Sequence, residues 1–424
     1  MEKSFVIKGH ICYSLVPEKI EIVENGYLVC EGGRVTGVFD VLPEQYASLP
    51  LTDHGDRLII PGLTDLHMHA PQYSFRSLGM DLELMEWLNT HTFPEESKYA
   101  DLDYAAKAYG MFADDLAHSA TTRAAIFATL HVPATKLLMD LLEKTQVKAL
   151  VGKVNMDRNC PDFLCEKDSI TSEADTRQWL RETMGAYENV KPILTPRFTP
   201  ACSDDLMARI GQLQKEFGLP VQSHLSENPG EIAFVSELCP DSEFYGQTYD
   251  RHGLFGTNGP SIMAHCVYSG EAEMALMKDR GVYIAHCPQS NLNLASGIAP
   301  ARKYLEMGMH MGLGSDIAGG YSLSILRAMA DAVGMSKMYW RLVDDTCRPL
   351  SVAESFYLGT RGGGAFFGKC GSFEPGFAAD VVILDDALLP HPQELDVEKR
   401  LERLIFMSDD RHIVGKYVDG KKVF

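Results

Sequence analysis

Between residues 61 and 368, short apolar strands alternate with amphipathic helices, and no other feature of the chain restricts its fold so far. Strands separated by whole helices cannot pair as hairpins; they run parallel, each returning through a helical crossover. Eight such strands are predicted, over 58–67, 121–128, 148–156, 190–198, 220–224, 261–266, 282–287 and 310–315. Helical stretches such as 104–118, 203–217, 270–279 and 323–340 separate them. Eight strand–helix units in roughly 300 residues fit an α/β fold closed as a (β/α)8 barrel.

The two ends of the chain differ from this middle. Segments 4–7, 21–30 and 34–39 are rich in β-branched and aromatic residues, with Asn25-Gly26 and Gly32-Gly33 as turns. Near the other end, 380–384, 413–418 and 421–424 read the same way, the last two joined by Asp419-Gly420. We therefore expect residues 1–60 and 369–424 to build one small β-sandwich beside a barrel spanning 61–368. Ser351 followed by Glu354 forms a capping box ahead of an apolar run.

Composition narrows the partners. The chain of 424 residues has 39 Lys and Arg against 58 Asp and Glu, a net charge of −19 that repels polyphosphates. Nucleic acid is thereby disfavoured, and a small neutral or cationic ligand remains open. Residues 1–19 lack the continuous apolar stretch of a secretion signal, and no run of about 18 apolar residues is present to cross a bilayer. A cytoplasmic protein without a membrane partner is expected. The ten cysteines are expected as reduced thiols, and Cys160 and Cys165 have no second pair nearby with which to form a zinc knuckle.

Active sites of (β/α)8 barrels open at the carboxyl ends of the strands. Here the first strand runs into Asp65-Leu66-His67-Met68-His69 and the fifth ends in His224, with Glu227 three residues on. The sixth ends in His265, the seventh in His286, and the eighth leads to Asp316. Side chains alternate along a strand, so His67 and His69 share a face. Barrel closure brings the others around the same axis. Imidazole and carboxylate suit Zn2+, and catalytic zinc sites keep one position for water.

At these residues the sequence resembles the amidohydrolase superfamily, whose first motif is matched by Pro61-Gly62 followed by Asp65-Leu66-His67-Met68-His69. The resemblance runs nearly end to end. Further segments are similar to the members that deaminate guanine: His69-Ala70-Pro71-Gln72-Tyr73-Ser74-Phe75, Glu86-Trp87-Leu88, Thr92-Phe93-Pro94 and Thr195-Pro196-Arg197-Phe198. Gln222-Ser223-His224-Leu225-Ser226-Glu227-Asn228, Ala285-His286-Cys287-Pro288 and Gly314-Ser315-Asp316 extend the match. Ser315 stands where Thr is commoner and keeps the hydroxyl.

The resemblance implies hydrolysis of guanine to xanthine and ammonia in purine catabolism or salvage, and a homodimer. It implies one metal per chain, zinc with Fe2+ as the alternative, held by His67, His69, His224 and Asp316. Lys191 lies at the start of the fourth strand rather than its end, which argues against a carboxylated lysine bridging two metals. In the implied mechanism Asp316 takes a proton from the attacking water, His265 orients and stabilises the nucleophile, and Glu227 protonates N3 of guanine.

Arg197 carries donors only, so it can read the C6 carbonyl of guanine and rejects the amino group of adenine; otherwise it pairs with an acid at the barrel mouth. Gln72 carries donor and acceptor and reads the same carbonyl or the N1 proton. Phe198 or Trp87 packs on the ring. His286 is expected to orient Asp316 or the water, Asp65 to support the first strand, and the long connection 71–99 to cover the pocket. The rivals are deaminases of adenosine derivatives or triazine-like rings on the same fold, and a barrel retained only for binding. Gln72 and Arg197-Phe198 disfavour the first, and retention of every metal ligand disfavours the second. A cytidine-deaminase fold would need His-x-Glu and Pro-Cys-x-x-Cys, and neither occurs.

Overall fold

The computed structural model describes residues 4–424. Two four-stranded parallel sheets make the barrel. Leu63–His69, Thr121–Phe127, Lys148–Gly152 and Val190–Pro192 pair in that order, as do Val221–Leu225, Ser261–His265, Tyr283–His286 and Met311–Leu313. Two seams close the ring. At one, Leu194 N–H donates to Pro220 O (3.0 Å) and Gln222 N–H to Leu194 O (2.9 Å). At the other, Asp316 N–H donates to His67 O (2.8 Å) and His69 N–H to Ile317 O (2.9 Å). The second seam therefore ties together two strand ends that carry predicted metal ligands.

Helix ends follow local chemistry. Asp101 accepts from the N–H groups of Asp103 and Tyr104 at the start of Leu102–His118, and Ser203 accepts from Leu206 N–H at the start of Asp204–Phe217. The capping box of Ser351 and Glu354 forms as expected. Along Leu102–His118, Ala105, Ala108, Tyr109, Phe112 and Leu116 recur at helical spacing and bury one face in the main core. Inside the barrel, Leu66, Ala125, Ile193, Ile262, Ala264, Ala285 and Cys287 form a separate apolar cluster. The barrel centre is thus packed rather than hollow.

Three predicted strands differ from expectation, the first being 148–156, which divides into Lys148–Gly152 in the barrel sheet and Val154–Asn155 outside it. The predicted strand 58–67 is two strands: Leu51–Pro61 belongs to the terminal sheet and Leu63–His69 to the barrel. Gly62 stands between them, where a Cβ would lie 2.2 Å from Thr122 Oγ1. The predicted strand 190–198 is interrupted after Pro192, and Thr195–Pro196 pairs instead with Val154–Asn155. Pro192 and Pro196 have no N–H to give a continuous ladder.

Both chain ends contribute to one continuous seven-stranded sheet made of Phe5–Val16, Lys19–Glu31, Arg34–Phe39, Leu51–Pro61, Val381–Leu384, Ile413–Val418 and Lys421–Lys422. Its two faces follow the period of two. Ile7, Ile11, Ile59, Val381 and Ile383 enclose a core of their own with Phe373, while Leu58, Ile60, Val382 and Leu384 join the main core. Arg123, on the second barrel strand, donates to Asp380 (2.7 Å) and Asp419 (2.8 Å) and pins sheet to barrel. Lys416 adds bonds from Nζ to the carbonyls of Leu116, Ala117 and Ser119 at the end of the helix Leu102–His118.

The expectation of thiols throughout is corrected at one place. Cys160 and Cys165 form a disulfide with Cα atoms 5.5 Å apart, and the other eight cysteines are free and buried. Asn159 at φ 50° and the turn Asp162–Leu164 fold the loop back so that the two residues meet. No helix among the described residues is long and apolar enough to cross a membrane.

Candidate active site

His67 and His69 project from the first barrel strand on one side, as alternation requires. His69 Nε2 lies 3.2 Å from His224 Nε2, and Asp316 Oδ1 lies 3.2 Å from His67 Nε2 and 3.5 Å from His69 Nε2. His67, His69 and Asp316 are buried and His224 is partly buried. The donor atoms of His67, His69 and His224 fall within 4.8 Å of one another. Both ring nitrogens of His67 are buried without a hydrogen-bond partner. His224 Nδ1 donates to Arg197 O (2.6 Å), which leaves its Nε2 lone pair pointing to the cluster. Burial holds the pKa of His69 and of His224 well below the usual imidazole value, which favours the neutral form that binds metals. Three converging imidazoles and a carboxylate fit a metal ion.

Asp65 accepts from His67 N–H (3.1 Å) and Ser315 N–H (3.0 Å). It therefore bridges the first strand and the segment before Asp316. Beside the cluster, His265 Nδ1 donates to Asn291 Oδ1 (2.9 Å). Its Nε2 faces Glu227 Oε2 at 3.5 Å and Asp316 Oδ2 at 3.7 Å. Burial works against protonation of His265, but the two carboxylates outweigh it and raise the pKa. Burial raises the pKa of Glu227, whose Oε1 accepts from Ser296 Oγ (2.9 Å). Asp316 goes the other way: despite burial, the surrounding histidines, His67 first, hold it below the usual carboxylate range. The two nearby carboxyls thus have their proton affinities pushed apart.

A cleft opens on this cluster, lined among others by Gln72, Trp87, Arg197, Phe198, Glu227 and His265. Gln72 sits on the turn Ala70–Phe75 and Trp87 on Leu84–Trp87, so the long connection after the first strand does cover the pocket. Trp87 is also core: it is 2% exposed, its indole N–H donates to Leu78 O (3.1 Å), and its ring lies 5.4 Å from Phe75. Arg197 and Phe198 follow the interrupted fourth strand, and the ring of Phe198 lies 6.4 Å from that of His224. Lys191 points elsewhere, donating to Tyr187 O (3.2 Å) from an exposed position.

Some of the arrangement is new. Arg197 faces the cleft and also pairs with an acid, Glu96, through Nη1 (2.5 Å) and Nη2 (3.1 Å). The same carboxylate accepts from Gln72 Nε2 (2.9 Å). Glu96, Asn291 and Ser296 were not among the predicted site residues; Glu96 lies two residues beyond Thr92-Phe93-Pro94, and Asn291 on Pro288–Asn293 just after the seventh strand. His286 forms no hydrogen bond with Asp316, and its Nδ1 is buried without a partner.

Comparisons with known proteins agree with this geometry. The sequence profile of the amidohydrolase family matches residues 58–423. Guanine deaminase of Dictyostelium discoideum is 34% identical over 446 aligned positions, which cover 99% of this chain and 98% of that protein. Guanine deaminase of Escherichia coli (strain K12) is 32% identical, with 96% of this chain and 93% of that protein covered. The crystal structure of guanine deaminase from C. acetobutylicum with guanine bound in the active site matches with a TM-score of 0.96 at 46% identity, covering 99% of this chain and 100% of that one.

Proposed function

The chain belongs to the amidohydrolase family, and from that premise we propose that it hydrolyses guanine to xanthine and ammonia. One observation carries the reading: one cleft brings His69, His224 and Asp316, the metal-fitting set that His67 completes, together with Glu227 on one side and Arg197 with Gln72 on the other. The relative solved with guanine in its active site supports the substrate.

In this reading His67, His69, His224 and Asp316 hold one metal per chain, zinc, with Fe2+ as the alternative. When bound, such an ion supplies a water whose pKa falls to about 7, a nucleophile at neutral pH. Asp316 takes a proton from the attacking water, and His265, fixed through Asn291, keeps Nε2 turned towards the nucleophile. Glu227, its pKa raised by burial, protonates N3 while C2 becomes tetrahedral. As the C2–N bond breaks, the proton held by Asp316 goes to the departing ammonia and the proton of the added hydroxyl returns to Glu227, so over one cycle the water supplies one proton equivalent to N3 and one to ammonia, and both carboxyls are restored. Arg197 and Gln72 donate to the C6 carbonyl, and Phe198 packs against the ring.

The catalytic work is assigned to 61–368, with 1–60 and 369–424 as a supporting β layer. A cytoplasmic homodimer belongs to the same reading; light scattering giving twice the chain mass is the expected result. The direct test is product analysis in H2(18)O: guanine should yield xanthine carrying one heavy oxygen at C2, and chelation should abolish the reaction until zinc is returned. Absence of xanthine from the metal-loaded protein would overturn the proposal.

A further inference from the structure

We infer that Glu96 is a positioning residue that fixes the hydrogen-bonding polarity of the cleft at the six-position of the purine, an inference that rests on the guanine reading above. Glu96 lies on the short helix Phe93–Ser97, and its side chain is 3% exposed. A carboxylate can only accept hydrogen bonds, so what it touches must donate. Its Oε2 takes Arg197 Nη1–H, while its Oε1 takes both Arg197 Nη2–H (3.1 Å) and Gln72 Nε2–H (2.9 Å). The fork-to-fork pairing holds the guanidinium in one plane, with Phe93 5.3 Å away beside it.

The effect on Gln72 is stronger. A primary amide can present either end to a ligand, but here its nitrogen is committed to Glu96. Its oxygen is then turned to Ala318 N–H at 3.4 Å, two residues beyond Asp316. What remains for a ligand is the second N–H of Gln72 and the N–H groups of Arg197 that Glu96 leaves free. Both groups offer donors, which match a carbonyl and repel an amino group. Without the carboxylate, Gln72 is free to flip and Arg197 keeps a buried, uncompensated charge. Glu96 therefore sets specificity without touching substrate.

The test compares guanine with 2,6-diaminopurine, which carries the same 2-amino group and differs along the six-position edge, where an amino group replaces the carbonyl and N1 loses its proton. In Glu96→Gln, the ratio of kcat/KM for guanine to that for 2,6-diaminopurine should fall about tenfold or more, chiefly through a higher KM for guanine, with metal content unchanged. Glu96→Asp keeps the acceptor but shortens its reach, so it should raise KM for guanine while preserving the ratio. That split is not expected from a general loss of structure. A folded, metal-loaded Glu96→Gln protein with the wild-type ratio overturns the inference; so does Glu96→Asp with unchanged KM or a collapsed ratio, which decides the matter if the Gln variant does not fold. A wild-type protein inert towards guanine instead sinks the guanine reading, and this inference with it.

Discussion

The two walls of the cleft are built differently. On the reacting side, His67, His69, His224 and His265 stand on barrel strands, where His69, His224 and His265 pair with neighbouring strands and His67 lies in the irregular stretch between Asp65 and Met68, and the seam bond from Asp316 N–H to His67 O ties the remaining ligand to it. On the reading side, Gln72 and Glu96 ride on a succession of short turns, Ala70–Phe75, Leu84–Trp87, Leu88–Thr92 and Phe93–Ser97, and Arg197 follows a strand broken at Pro192. Reacting groups need fixed distances, which a sheet supplies through its backbone. Reading groups can be placed by irregular backbone provided that side chains lock one another, as Glu96 locks Gln72 and Arg197. Damage to the first wall should therefore appear in kcat, and damage to the second in KM and selectivity.

The largest effect is expected from Glu227→Gln, which removes a proton donor and no metal ligand. Turnover should drop by about 10²- to 10⁴-fold with metal content retained, measured by single-turnover kinetics beside elemental analysis. Near-normal turnover would erase the distinction between the walls. Arg197→Ala should act less on kcat, raising KM for guanine about tenfold to a hundredfold and relaxing the preference for a C6 carbonyl. Unchanged guanine kinetics would assign the carbonyl to another group. The smallest effect on catalysis is expected outside both walls. Arg123→Met strips the partner from Asp380 at the junction with the terminal sheet, and breaking a buried pair costs about 3 kcal/mol. Denaturant midpoints should fall while kcat/KM of the folded protein stays put; a parallel loss of kcat/KM would mean that the sheet also tunes the cleft.

What was readable in the sequence follows the same division. His67, His69, His224 and His265 were legible because each stands at the end of an apolar run, and a closed barrel turns that shared position into proximity. Glu96 was not, since Pro94-Glu95-Glu96-Ser97 reads as the polar start of a surface helix and only the folding of 70–100 over the barrel buries it. Asn291 and Ser296 depend likewise on how the segment after the seventh strand packs against His265 and Glu227. The boundary at Gly62 was marked by Pro61-Gly62, a pair that interrupts strands, but the apolar runs on either side read as one strand until their pairing with different sheets separates them. His286 shows the limit of arguing from strand ends. It shares the position of the others, yet its ring makes no bond to Asp316.

The most direct measurement is ammonia release from guanine, adenine, cytosine, adenosine and guanosine, made on purified protein whose metal content is determined in the same sample. Turnover of guanine alone, at about one metal per chain as for a catalytic zinc site, is the predicted result. Bound metal with inert guanine would contradict it: the reacting wall would survive, and the reading wall would have to fit a different aminated heterocycle.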